Sequence, residues 1–465
     1  MTQTATRPQR GPVAPTVGSS SRSWLPDLVG SVAILSVLVV VALWVRGRGL
    51  SDLGALSPGL TSTGRLTGLV SADLLLIQVF LMARVPWIER AYGQDRLARW
   101  HRLVGFTSFN LLLAHIGLIT LGYAGTAHAP VLREAWDLVV GYPGMLLATA
   151  GTAALVMVVV TSVRAARRRL RYESWHLLHL YAYLGVGLAL PHQLWTGADF
   201  TASPLATAYW WSAYGVAAGA VVVYRLGVPA VRTLRHQLRV AAVVAESPGV
   251  YSVYLHGRDL HRLRVQAGQF FQWRFLTGPG WSRAHPYSLS AAPRPDWLRI
   301  TVKDLGDGSR QVAALRPGTR VLVEGPYGQL TGERRTARKV TLIASGVGIT
   351  PVRALLEALP YRRGDAVLLF RARTEADLVF RTELEHLARS RGVRLHYLLG
   401  RRGRDGSWLP PGWGDDAAGL RRLVPDIAKH DLYICGPQQW MDAVRRAARR
   451  ARVPDERIHL ERFSW

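Results

Sequence analysis

Residues 172–193 read YESWHLLHLYAYLGVGLALPHQ, a run apolar enough to enter a bilayer that nonetheless carries His176, His179 and His192. A histidine in lipid is costly, so it faces the bundle interior and marks function. Residues 100–122, WHRLVGFTSFNLLLAHIGLITLG, repeat the pattern with His101 and His115. Two such stretches, joined by a third apolar one, look like a pair of walls around a cofactor.

At ~1.5 Å per residue, His101 and His115 stand ~21 Å apart in depth, and His179 and His192 ~20 Å apart. Using His176 would give ~24 Å and a poorer match, so His179 is preferred. Fourteen residues return to within ~40° of one helix face, whereas thirteen miss by ~140°. The second helix therefore has to bend or loosen, which Pro191, with Gly185 and Gly187 above it, permits. Two imidazole pairs at two depths suggest two stacked haems, each iron bound by two histidines. Taken singly, each histidine is better explained as a buried structural group hydrogen-bonded between helices; four, matched in depth on two helices, reverse that preference.

A chain of 465 residues holds two to three domains. Long apolar runs lie before about Tyr224, and ordinary soluble composition follows. The single cysteine, Cys435, excludes a disulfide framework and a cysteine-ligated zinc or iron–sulfur site. The formal charge of +27 is almost all arginine, since Lys303, Lys339 and Lys429 are the only lysines. The arginines cluster beside the apolar runs, where the positive-inside rule accounts for many of them, so no nucleic-acid partner is expected.

Residues 1–23 are rich in Thr, Pro, Ser and Gly with no acidic residue, and read as a disordered cytoplasmic tail. Six runs then have membrane length: 25–45, 66–82, 101–123, 144–163, 176–194 and 205–226. The second is short and holds Asp73. Loops 84–102, 164–171 (RAARRRLR) and 225–239 are basic, whereas 122–143 and 195–204 hold one arginine, Arg133, beside Glu134, Asp137 and Asp199. Arg46, Arg48 and Arg65 in the first outer loop weaken the pattern. Both termini are thus expected in the cytoplasm of a multi-pass cell-membrane protein. His101 and His179 then form the inner pair, His115 and His192 the outer pair.

Beyond about Val228, short alternating runs such as LRVAAVV, VYSVYLH, QFFQWRF, WLRITVK and RVLVEGP read as a small antiparallel barrel. From Arg338, strands and helices alternate: KVTLIAS, a helix from Thr350, DAVLLFRA, a helix from Leu378, VRLHYLL, DLYICGP, a helix from Gln438 and a last strand RIHLERF. That is a doubly wound parallel sheet. The expected fold is a six-helix transmembrane bundle (24–227), an antiparallel β-barrel (235–332) and an α/β domain (336–465).

Four motifs carry chemistry. In HPYSLS, Tyr287 can wall a flavin ring, Ser288 can donate to N5, and His285 or Arg283 can face phosphate. In VKDLGDGSR, Gly306, Gly308 and Ser309 form a turn whose N–H groups suit a pyrophosphate. In ASGVGITP, Gly346 and Gly348 let a dinucleotide approach the backbone, and Pro351 suits a first helical turn after Thr350. Cys435, Gly436 and Pro437 end a late strand at the carboxyl edge of the sheet, where ligands bind. Cys435 can border a nicotinamide but has no histidine partner to make it a nucleophile. Arg373 and Arg381 can hold a 2′-phosphate, favouring NADPH over NADH, or belong to a solvated face. Phe463 or Trp465 can stack on the flavin, or pack as part of a terminal strand.

The order HPYS, GDGS, GVGITP, CGP, ERF resembles the ferredoxin–NADP reductase superfamily over about residues 235–465. WHRLVG…LLAH and ESWHLLHLYAY…LPH resemble the ferric reductase-like transmembrane domain. The whole chain resembles bacterial members of the NADPH oxidase/ferric reductase family. The resemblance implies FAD at the His285-Pro286-Tyr287-Ser288 element and NAD(P)H at the glycine loop and Cys435-Gly436-Pro437. It also implies two b-type haems on His101, His115, His179 and His192, and an aromatic cap at Phe463. His285 stands where many members have arginine. The implied activity is electron transfer from cytoplasmic NAD(P)H to an extracytoplasmic acceptor. Ferric chelate is favoured, with oxygen reduction to superoxide and donation to a partner protein as alternatives. A haem-binding sensor or transport scaffold is the rival from another class.

Overall fold

The computed structural model describes residues 24–163, 172–201, 203–278, 280–402 and 406–461. The expected tail at 1–23, the arginine run at 164–171, Phe463 and Trp465 lie outside the described residues. The chain divides into a helical unit ending at Val228 and a second unit beginning at Pro229.

The helical unit contains α1 (Trp24–Arg46), α2 (Leu56–Leu81), α3 (Pro86–Tyr92), α4 (Gln94–Ala127), α5 (Val131–Gly141), α6 (Met145–Ser162), α7 (Tyr172–Trp195) and α8 (Pro204–Val221). Among the described residues, five helical segments are long and apolar enough to cross a membrane: Asp27–Arg46, Leu56–Leu81, Arg96–Ala127, Met145–Ser162 and Pro204–His236. The fifth expected span, 176–194, forms α7, which is 24 residues long but is not one of these five, so five of the six expected spans are found on length and apolarity. Its histidines, Pro191 and Gln193 hold its mean hydropathy below that of the other five. Two expected loops are partly helical. Pro86 at a first helical turn starts α3, and the segment after α4 folds as α5, which buries Leu138. The second span also starts earlier than expected, at Leu56, and Ser62 and Gly64 within its first turns are buried against neighbours. Ser62, for instance, is buried and donates to the Gly49 carbonyl.

Helix pairs approach closely where side chains are absent. α4 packs chiefly on α2, and α7 chiefly on α6. A Cβ on Gly151 of α6 would lie 2.7 Å from the Gly185 carbonyl of α7, the small-residue contact that membrane helices use when lipid offers no hydrophobic drive. Between α2 and α4, Ser71 Oγ donates to the Ser108 carbonyl (2.7 Å) and Ser108 Oγ to the Ser71 carbonyl (2.9 Å). This reciprocal pair fixes the register of the two helices.

The second unit opens with the end of α9 (Val228–His236) and two three-stranded antiparallel sheets. Strands β1 (Arg239–Ser247), β2 (Val250–His256) and β5 (Trp297–Lys303) make one, in that order. Strands β4 (His285–Ser288), β3 (Phe270–Phe275) and β6 (Val321–Tyr327) make the other. Single bridges Arg239↔Arg320 and Leu289↔Ile300 join the sheets at both edges, around a core that includes Val253, Phe271, Trp273 and Ile300.

A five-stranded parallel sheet follows, in the order β11 (Ile458–Leu460), β10 (His430–Cys435), β7 (Lys339–Ser345), β8 (Ala366–Ala372), β9 (Arg394–Leu399). Its strands are apolar without alternation because both faces are covered. Leu342, Leu368 and Tyr433 point to one core, with α10 (Ile349–Ala358) and α11 (Arg381–Arg391). Ile343, Leu369 and Ile434 point to the other, with α12 (Asp416–Leu423) and α13 (Gln438–Arg450). Helix α12 is absent from the sequence reading; Asp415 caps it, accepting from the N–H groups of Ala417 and Ala418. Helix α11 begins at Arg381 rather than Leu378, because a Thr374–Asp377 capping box closes a separate turn first.

A charged network ties the antiparallel sheets to the parallel one. Arg299 of β5, 3% exposed, grips Glu383 of α11 through two hydrogen bonds of 2.7 and 2.9 Å. Arg353 of α10 lies 2.8 Å from the same carboxylate and 2.5 Å from Glu357. Glu357 also accepts from the Ala292 N–H and from Arg294. Burial pushes both carboxyls up, but the hydrogen bonds and guanidinium charges outweigh it and hold Glu357 and Glu383 below their ordinary value.

Arg299→Ala leaves Glu383 without its bidentate partner and is expected to destabilise the second unit by about 3 kcal/mol. The check is the denaturation midpoint of the solubilised full-length chain. A depressed carboxylate adds stability above its unfolded pKa and loses it as pH falls through the folded value. The wild-type midpoint is therefore expected to drop on acidification below the ordinary carboxylate pKa of 4.5, and the Arg299→Ala midpoint to drop less.

Candidate functional site

The four expected histidines lie on α4 and α7. His101 and His179 are brought together, with ring centroids 5.9 Å apart at an interplanar angle of 65°. With a nitrogen–metal distance of ~2 Å on each side, that spacing suits one ion held between two imidazoles. His115 and His192 lie within electrostatic range of each other. His176 is on the same helix and carries interactions of its own.

Each of the four rings is anchored through Nδ1. His115 Nδ1 donates to the Gly64 carbonyl (2.8 Å) and His101 Nδ1 lies 3.3 Å from the Gln78 carbonyl, both on α2. His179 Nδ1 stands 3.2 Å from Ser162 Oγ of α6. His192 Nδ1 stands 2.7 Å from Thr196 Oγ1, whose own proton goes to the His192 carbonyl. Among the described residues no hydrogen bond occupies Nε2 of any of the four. An imidazole held by Nδ1–H to an acceptor presents the lone pair of Nε2, the arrangement of a metal-ligating histidine. Gly68 makes room for one of these contacts, since a Cβ there would lie 2.5 Å from His115 Nδ1.

Among the described residues, no three His, Cys, Asp or Glu side chains converge as ligands for a bare ion. A two-imidazole donor set instead fits a metal that arrives with its other ligands in place, as haem iron does. The partners on α2 were not legible in the sequence, because they are backbone carbonyls. Thr196 was missed as well, although its place one helical turn after His192 is a signal that points to it.

In the second unit, β4 carries His285 and Tyr287 on one face, rings stacked 5.9 Å apart and 11° from parallel. Burial pushes the Tyr287 hydroxyl up to about 12. Ser288, 5% exposed, points the other way, and its Oγ is buried with no partner among the described residues. A buried hydroxyl without a partner costs free energy unless a ligand satisfies it. Pro286 pairs with Gln272 in the ladder. The turn of Gly306, Gly308 and Ser309 meets this strand: a Cβ on Gly308 would lie 2.6 Å from the His285 ring. A small cavity there is lined by residues including Arg283, His285, Gly308 and Gln311. Ser309 Oγ accepts from the N–H groups of Leu305 and Gly306 at 2.8 and 3.0 Å, so it shapes the turn rather than facing a ligand.

At the parallel sheet, strand order reverses between β7 and β10. The loop after β7 and the loop after β10 meet at that point. A Cβ on Gly348 would lie 2.3 Å from the Cys435 carbonyl, and Gly346 has φ 55°, open to glycine at little cost. This crevice at the carboxyl ends of the strands is where open α/β sheets bind ligands. Thr350 and Pro351 are buried at the start of α10, with Thr350 Oγ1 donating to the Val347 carbonyl. Gly436 and Pro437 precede α13. Cys435 is fully buried, and burial pushes its thiol well above its ordinary range, so it offers a surface and not a nucleophile.

The two arginines expected at a phosphate separate. Arg381 is engaged by Glu375 (2.9 Å) and Glu385 (3.0 Å). Arg373, exposed just beyond β8, has no partner among the described residues. The sequence places Glu461 in the ERF element but not its contact: it accepts from the Gln329 N–H at 2.8 Å. It thereby ties the chain just after β11 to the loop after β6.

Comparison with known proteins matches both units. Residues 67–190 match the family described as ferric reductase like transmembrane component, and residues 342–446 the oxidoreductase NAD-binding domain. The chain is 31% identical over 246 residues to ferredoxin–NADP reductase B of Sorangium cellulosum, covering 49% of this chain and 97% of that protein. It is 33% identical over 238 residues to the ferredoxin reductase component of 3-ketosteroid-9-alpha-monooxygenase from Mycolicibacterium smegmatis, covering 49% of this chain and 65% of that one. The chain thus spans just under two thirds of that second relative. Among solved structures, the flavohem-like FAD/NAD-binding domain of nitric oxide dioxygenase from Vibrio cholerae O1 biovar El Tor aligns at 26% identity. Its TM-score is 0.42, with 49% of this chain and 98% of that chain covered.

Gly348→Ala pushes a methyl into the Cys435 carbonyl and is expected to open the crevice. Titration of the full-length protein with NADPH should show affinity lowered roughly tenfold or more, with the circular dichroism spectrum unchanged.

Proposed function

The chain belongs to the ferredoxin–NADP reductase family, here joined to a ferric reductase-like transmembrane component, and on that premise we propose that it is a transmembrane oxidoreductase carrying electrons from cytoplasmic NAD(P)H through FAD and two b-type haems to an acceptor outside. The observation that carries the reading is the set of four imidazoles, each held by Nδ1 and open at Nε2. When bound, FAD supplies the step from a two-electron hydride to single electrons, and haem supplies one-electron carriage through the membrane.

The residues divide the task by position. His101 and His179 hold the inner iron, His115 and His192 the outer one. Ser288 offers its unpartnered hydroxyl to flavin N5, and Tyr287 walls the ring. His285, with the turn of Gly306, Gly308 and Ser309, faces the pyrophosphate, and the imidazole takes the place where many relatives have arginine. Gly346, Gly348, Thr350 and Pro351 shape the dinucleotide crevice with Cys435, Gly436 and Pro437, and Cys435 borders the nicotinamide. Arg373 receives a 2′-phosphate, which favours NADPH over NADH. Arg381 serves the local fold through its two glutamates. The flavin cap is assigned to Phe463 from the family resemblance alone.

The arginine-rich loops support a cell-membrane protein with both termini in the cytoplasm. Arg65, which weakens that pattern, is neutralised by Asp199 at 2.5 Å. Ferric chelate is the favoured acceptor, because the segments on the outer side are short. Superoxide formation and donation to an extracytoplasmic partner protein are the other outcomes of the acceptor assay.

His115→Ala or His192→Ala is expected to abolish reduction of the outer haem by NADPH and to leave flavin reduction intact, as read from optical spectra. Loss of flavin reduction in a folded variant contradicts the assignment. NADPH consumption by purified protein is expected to rise with ferric chelate and to be insensitive to superoxide scavenging.

A further inference from the structure

Asp73 stands in the middle of α2, 1% exposed. Its Oδ1 accepts from Ser36 Oγ of α1 and from Tyr209 OH of α8, each at 2.7 Å. Its Oδ2 is buried with no hydrogen-bond partner among the described residues. The cluster around it is apolar, including Val40, Leu76 and Trp210. Tyr209 is the titratable group that faces it, and no cation pairs with it among the described residues. Arg65, on the same helix, is committed to Asp199.

Two influences oppose each other here. A carboxylate among neutral partners in a membrane interior is costly, and a proton removes that cost. Two hydroxyl donors on Oδ1 favour the charged form. A group balanced in this way gains or loses its proton when a nearby charge changes. Its position supplies such a charge. The Gly64 and Gln78 carbonyls that anchor His115 and His101 belong to the same helix. Along that helix Asp73 lies ~13 Å from one and ~7 Å from the other, close enough for charges to interact in a low-dielectric interior.

We propose that Asp73 is a redox-linked proton site, an inference that rests on the haem assignment above. When an electron enters between the histidine pairs, the carboxylate takes one proton from water, forming an O–H bond at Oδ2. When the electron leaves, the carboxyl returns that proton to water. One negative and one positive charge enter together, so the interior gains no net charge.

The test is a reduced-minus-oxidised infrared difference spectrum of the full-length protein in lipid vesicles, with an optical spectrum of the same sample. A protonated-carboxyl stretch is expected to appear on reduction and to vanish in Asp73→Asn. Tyr209→Phe removes a donor to Oδ1, so the pH at which the band is lost is expected to move upward. That shift decides the matter if Asp73→Asn fails to fold. In haem-bearing samples, a band retained by Asp73→Asn, or a pH unmoved by Tyr209→Phe, overturns this inference alone. A sample without haem absorption overturns it together with the haem assignment.

Discussion

An imidazole inside a bilayer must have its N–H satisfied by another protein group, because the lipid offers none. Much of the helical unit can be understood from that constraint. A helix carbonyl already accepts from the N–H four residues on, and the side chain at that later position normally shields it. At Gly64 the later position is Gly68, which has no side chain, so the His115 ring can reach the carbonyl. The close α2–α4 approach, the reciprocal Ser71–Ser108 bonds and the placement of His101 against Gln78 belong to the same packing solution. On the other wall, α6 offers Ser162 to His179, and the close Gly151–Gly185 contact brings the two helices near enough. In each case Nδ1 is spent on the fold, which leaves Nε2 for chemistry.

The second unit solves a different problem. On the proposed reading it holds a flavin on one sheet system and a nucleotide on the other, in fixed relation. Apolar packing builds each core separately, but it is non-directional. The Arg299–Glu383–Arg353–Glu357 network is directional, and it joins β5, α10 and α11. Its bidentate geometry fixes orientation as well as distance. Glu461 acts similarly between the last strand and the loop after β6.

Burial has opposite consequences at the polar groups of the two crevices. At Ser288 it leaves a hydroxyl without a partner among the described residues, the group the proposed function assigns to the flavin. At Cys435 it suppresses the thiolate, and the residue is therefore inert. Ion pairing, in turn, separates Arg373 from Arg381. Both are exposed and basic, but only Arg381 has two glutamates within 3.0 Å.

The sequence by itself determined the class of the protein. Histidine spacing on apolar runs set the helices and the depth of each ring, because helix rise is fixed by the backbone. Period-two and continuous apolar runs separated the antiparallel strands from the parallel sheet. The glycine and CGP elements were legible because their backbone requirements are local. Tertiary structure alone decided the rest. The anchors of His101 and His115 are carbonyls, which carry no sequence signal. Asp73 looked like a flaw in a short span until Ser36 and Tyr209, 37 and 136 residues away, were seen to bind it. Arg299 and Glu383, 84 residues apart, carry no sequence signal of pairing, and only the fold brings them together. Local rules act over a few residues, whereas these partners meet only when separate elements pack, and so their roles belong to the fold.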